Sequence, residues 1–160
     1  MTTPRHTALV TGASAGIGAS FARHLAGEGY DLLLVARRQE RLQALARELQ
    51  QAHGIRAETF AVDLTDPAAP AAIMDFAARQ RLAIDVLINN AGLSGKDSFA
   101  GTPWEKHAGD LQLMITAVTE LAHRVLPGMQ ASGWGRIVNL SSIAAFSPPG
   151  ESLLYTAIKQ

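Results

Sequence analysis

Hydrophobic positions along this chain alternate between two spacings. Short apolar runs occur at Ala8 to Val10, Leu32 to Val35, Ile84 to Ile88 and Ile137 to Leu140, with a more mixed run at Glu58 to Val62. Continuous runs of this length predict strands buried on both faces. Between them the apolar residues recur at helical spacing. Ile17 to Leu25 reads as a first helix. Leu42, Leu45, Leu49 and Ala52 mark a second, ending at His53-Gly54. Asp66 as N-cap and Pro67 at the first helical position predict the start of a third. A looser segment, Leu93 to Thr102, precedes a long helix opening at Thr102-Pro103. Leu111, Ile115, Val118, Ala122 and Val125 form its expected stripe, and Pro127 should kink or end it. Ser147 to Gly150 reads as a loop, and Glu151 begins a last helix. Strands alternating with helices predict an α/β fold: a parallel sheet with right-handed crossovers and helices on both faces.

The length, 160 residues, suits a single domain over 1–160. Fourteen basic residues balance fourteen acidic ones, so no overall charge draws the chain to nucleic acid or an anionic membrane. No apolar run approaches the roughly 20 residues that span a bilayer, and Met1 to Thr7 lacks a signal-peptide core. The expected location is cytoplasmic. Without cysteine there is no disulfide, and the five histidines show no metal-ligand spacing.

Two motifs carry chemistry. Thr11-Gly12-Ala13-Ser14-Ala15-Gly16-Ile17-Gly18 lies between the first strand and the first helix. Its glycines allow a tight turn and close backbone approach to a pyrophosphate. The helix start adds free N–H groups and a positive dipole end. Gly12, Ser14, Gly16, Ile17 and Gly18 are therefore candidate dinucleotide-binding residues. The second motif is Tyr155 with Lys159, one helical turn apart and on one face. An ammonium there stabilises a phenolate, which makes the pair a candidate general acid/base for a carbonyl oxygen.

The Gly-x-x-x-Gly-x-Gly spacing, together with the downstream Tyr-x-x-x-Lys, resembles the short-chain dehydrogenase/reductase family. Asp63, Asn89-Asn90-Ala91-Gly92 and Gly135-Arg136-Ile137-Val138-Asn139-Leu140-Ser141-Ser142 match further motifs in the family's order. The resemblance implies a Rossmann-type doubly wound parallel sheet and an NAD(P)-dependent oxidoreductase. It adds Asp63, Leu64, Asn90, Ala91, Gly92, Tyr155 and Lys159 to the cofactor-binding candidates. It implies that Ser142 hydrogen-bonds the substrate oxygen, Tyr155 transfers the proton, and Lys159 supports Tyr155 and binds the nicotinamide ribose. The substrate would be a small carbonyl compound or alcohol. It also implies that the final strands of the family fold are missing, the chain being truncated inside the Tyr155 helix. On that reading the fifth strand is an exposed sheet edge and the Tyr155–Lys159 turn is frayed. A homo-oligomer would form through the long helix, 103–131.

The second strand ends Val35-Ala36-Arg37-Arg38, without the carboxylate that would grip the ribose 2′-OH of NAD. Arg37 and Arg38 can pair with a 2′-phosphate, so NADP(H) is expected over NAD(H). The chain departs from the family at Met114. An Asn usually stands there and holds a water that links the lysine to solvent; a thioether cannot donate a hydrogen bond. Trp104 and Trp134 are expected to pack the ends of the long helix. Two functions stay open: an NADP-dependent oxidoreductase, and a catalytically inert dinucleotide-binding remnant that acts through a partner.

Overall fold

The computed structural model describes residues 5–93, 98–146 and 153–160. Five strands are seen: β1 (Thr7–Thr11), β2 (Asp31–Ala36), β3 (Ala57–Ala61), β4 (Ile84–Asn89) and β5 (Arg136–Asn139). All pair in parallel, in the order β3-β2-β1-β4-β5. Adjacent residues of the apolar runs face opposite layers. Ala8, Val10, Leu32 and Leu34 pack with α1 (Gly16–Gly27) and α2 (Gln39–His53). Leu9, Leu33, Val35 and Leu87 pack against the other layer. That layer holds α3 (Ala69–Arg79), α4 (Trp104–Leu111), α5 (Ala117–Ser132) and the short α6 (Leu153–Lys159). Burial on both faces is why these strands read as unbroken apolar runs.

Three helical readings need correction. The third helix begins at Ala69, not Pro67. The Asp66 carboxylate accepts the Ala68 N–H at 2.9 Å and closes a turn instead of capping the helix, and a different proline, Pro70, sits in the first helical turn. The long helix continues through Pro127 to Ser132. Its α4 and α5 parts are joined by a π-helical segment, Gln112–Thr116. A π turn holds more residues than an α turn, so it rotates the buried stripe. Leu113, Met114, Ala117, Leu121 and Val125 face the core, while Ile115 is 42% exposed. Of the two tryptophans, Trp134 closes the end of α5 by donating its backbone N–H to the Met129 carbonyl, and it stacks on His6 at 3.9 Å between ring centroids. Trp104 instead lies 64% exposed at the start of α4. Among the described residues β5 pairs with β4 alone, and most of its residues are exposed. No helix among the described residues is long and apolar enough to cross a membrane. The expected loop 147–150 lies outside the described residues.

Candidate active site

The direction of winding reverses between β1 and β4, so the ends of these strands splay and leave a crevice. Thr11 laces the two strand ends together. Its hydroxyl donates to the Ile88 carbonyl at 3.2 Å and accepts the backbone N–H groups of Asn90 and Ala91, each at 3.0 Å. The Asn90 side-chain amide returns the contact, donating to the Thr11 carbonyl at 2.9 Å and more weakly to Gly12. The chain then turns at Gly12 with φ +67°, and a Cβ there would lie 2.6 Å from the Asn90 amide nitrogen. Only glycine meets both demands. At Gly18 a Cβ would collide with the Gly12 carbonyl oxygen, so this glycine serves the packing of α1 on β1. No side chain caps the start of α1, which leaves its first N–H groups available to an anion.

A crevice of about 190 Å³ runs along this loop. Of the residues expected to bind cofactor, Gly12, Ser14, Arg37, Arg38, Asp63, Leu64, Ala91 and Gly92 line it. Asn90 braces the loop through its hydrogen bonds. Gly16 and Ile17 line a separate hollow on the outer side of α1, where Ile17 is 61% exposed. Arg38 directs Nε and Nη2 onto the Ser14 hydroxyl at 3.3 and 3.0 Å. Arg37 lies 3.8 Å from the Asp63 carboxylate. The β2 end thus offers two guanidinium groups beside the glycine loop, and its own residues carry no acid. Sequence reasoning missed Val62, Thr65 and Leu113, which also line the crevice. Leu113 could have been found as the apolar neighbour of Met114; its direction, however, is set by the π turn.

At the inner end stands the Tyr155 helix. Tyr155 is half-buried against the α3–α5 layer, and the Lys159 ammonium lies 5.9 Å from its ring centroid. Far from fraying, the last turn is tied to the end of β5. Lys159 Nζ donates to the Leu140 carbonyl at 2.8 Å, and the Ser141 hydroxyl donates to the Lys159 carbonyl at 2.6 Å. Ser142 leads into a 3-10 turn, Ile143–Phe146, its hydroxyl accepting the Ala144 N–H at 3.2 Å. Gly92 joins the two regions. It lines the crevice, and a Cβ on it would lie 3.6 Å from Met114 Sδ and 3.8 Å from Lys159 Nζ. Among the described residues no cluster of acidic or histidine side chains could hold a metal.

A family model described as short chain dehydrogenase matches residues 6–160. The chain belongs to the short-chain dehydrogenase family. Among curated members it is 33% identical to an uncharacterized oxidoreductase of Staphylococcus saprophyticus, over 95% of this chain and 65% of that protein. A short-chain dehydrogenase from Sphingobium yanoikuyae, solved in complex with NADPH, is 42% identical with a TM-score of 0.89, over 96% of this chain and 60% of that one. The L-sorbose reductase of Gluconobacter frateurii, solved with NADPH and L-sorbose, is 34% identical with a TM-score of 0.91, over 97% and 59%. This short-chain dehydrogenase chain therefore spans less than two thirds of each of these relatives.

Proposed function

We propose that this chain carries the cofactor site and proton-transfer pair of an NADP-dependent oxidoreductase acting on a carbonyl compound or alcohol. The observation that carries the proposal is Gly92, at which the crevice under Arg37 and Arg38 meets Lys159. A dinucleotide fits the residues present. Gly12 cradles it where any side chain would intrude, the uncapped α1 start and the two arginines offer donors, and Asp63 offers an acceptor. Bound there, a nicotinamide would supply or accept the hydride. Tyr155 gives its hydroxyl proton to the substrate oxygen on reduction and recovers it on oxidation. Lys159 stands over the Tyr155 ring, and Ser142 holds the substrate oxygen. The arginines favour NADP(H) over NAD(H), in keeping with the NADPH bound to the Sphingobium and Gluconobacter relatives. The same reading includes a homo-oligomer through the long helix, where Trp104, Ile115 and Leu126 are exposed.

The test is NADPH-dependent reduction of a panel of small ketones and aldehydes. Tyr155→Phe should lower kcat by about 10² or more while NADPH affinity stays within a fewfold. Equal activity of the variant would sink the role of Tyr155. Met114 favours the second reading, a dinucleotide-binding chain without turnover. NADPH binding with no reduction of any substrate would decide for it.

A further inference from the structure

The two arginines at the end of β2 are not equivalent. Arg38 meets the neutral Ser14 hydroxyl, whereas Arg37 faces a carboxylate, that of Asp63. Strand pairing brings this about. β2 and β3 stay in register to Ala36 and Ala61, and the Val62 N–H then donates to the Ala36 carbonyl at 3.1 Å. Arg37 and Asp63 are the next residues on each side, so they leave the sheet together and both line the crevice. Asp63 is held from behind. Its Oδ1 accepts the Thr65 backbone N–H at 3.0 Å, and its Oδ2 is turned to Arg37. The Arg37–Asp63 approach of 3.8 Å is an ion pair and not a hydrogen bond, and the side chains are 69% and 46% exposed. Such a pair is weak and exchanges partners readily.

We propose that Asp63 is a specificity-determining residue: its carboxylate holds Arg37 in the nucleotide-free chain, and a ribose 2′-phosphate must take Arg37 from it. A 2′-hydroxyl is uncharged and leaves the pair closed. A phosphate monoester carries about −1.5 to −2 charges at neutral pH against the single charge of the carboxylate, and it accepts two guanidinium nitrogens at once. The exchange therefore runs toward the phosphate, but opening the pair offsets part of the attraction. Asp63 thus narrows the preference for NADP(H) over NAD(H) that Arg37 and Arg38 create. This selectivity rests on the NADP reading above; the pairing of Arg37 with Asp63 in the free chain does not.

Fluorescence titration with NADPH and NADH, read as the ratio of the two affinities, tests this. Any contact of Asp63 with a part common to both nucleotides cancels in that ratio. Asp63→Asn keeps an oxygen to accept the Thr65 N–H and removes the charge. It should raise the preference for NADPH over NADH about two- to fivefold, the range of an exposed ion pair. In an Arg37→Ala background the same substitution should leave the ratio unchanged. A ratio unmoved by Asp63→Asn overturns the proposal. So does a gain that survives the loss of Arg37, since Asp63 would then act on the phosphate directly. In the chain without nucleotide, the Arg37 Nε–H resonance should move on Asp63→Asn, and a resonance that stays in place overturns the pairing. If neither nucleotide binds the wild-type chain, the NADP reading falls and the selectivity with it, while the resonance still judges the pair.

Discussion

Arg38 directs two nitrogens at one neutral hydroxyl, that of Ser14, so its positive charge has no anionic partner in that contact. A 2′-phosphate would add charge-assisted bonds of roughly 1.5–3 kcal/mol each, so Arg38→Ala should weaken NADPH about tenfold or more and leave NADH unchanged. Fluorescence titration with both nucleotides checks this, and equal loss for the two would remove the basis for the NADP preference. Gly12→Ala should be harsher, because positive φ and the Asn90 amide both oppose a Cβ. It should abolish NADPH binding and lower the urea midpoint. That Gly12, Arg37 and Arg38 would come together was legible in the sequence, because the glycine turn and the end of the second strand fix their places in the fold. Thr11 was not. A threonine in an apolar run reads as strand, and its importance arises only once β4 lies beside it. Thr11→Val would strand the Asn90 and Ala91 N–H groups, with an expected loss of about 1–3 kcal/mol in denaturant titrations.

Between elements, α1 and α2 are joined by a two-bond ion pair, Arg23 to Glu48, at 2.8 and 3.0 Å. The hydrogen bonds from Arg23 hold the Glu48 carboxyl below its ordinary value. A lowered folded pKa contributes stability above the unfolded value, and that contribution fades as pH falls through the folded one. Both side chains are exposed, so Glu48→Gln should cost under about 1 kcal/mol at neutral pH and nothing in strong acid. Thermal melts at two pH values would show it, and a deficit that persists in acid would assign the effect to something else. The strands were legible because two-sided burial makes each an unbroken apolar run. The stripe of the long helix was not. Periodic reading assumes α geometry, and the π segment breaks that assumption at Gln112–Thr116, beside the site. The start of α3 was misplaced for a local reason: a side-chain bond from Asp66 competes with capping.

For the whole molecule, the order β3-β2-β1-β4-β5 places the crevice where the two windings diverge, and the strand–helix alternation was enough to anticipate that architecture. How the surface is used was less legible, because the exposed side of the long helix depends on the π turn. If copies associate there, Ile115→Asp should shift the chain toward monomer in sedimentation; an unchanged mass would place any interface elsewhere. A last consequence concerns Leu140 and Ser141, consecutive residues at the end of β5. One holds the ammonium of Lys159 and the other its carbonyl. The Tyr155 helix is thus moored at both ends of one residue to the end of β5. Whatever settles along that rim, or leaves it, meets the backbone that holds the phenol's neighbour, without entering the crevice along the glycine loop.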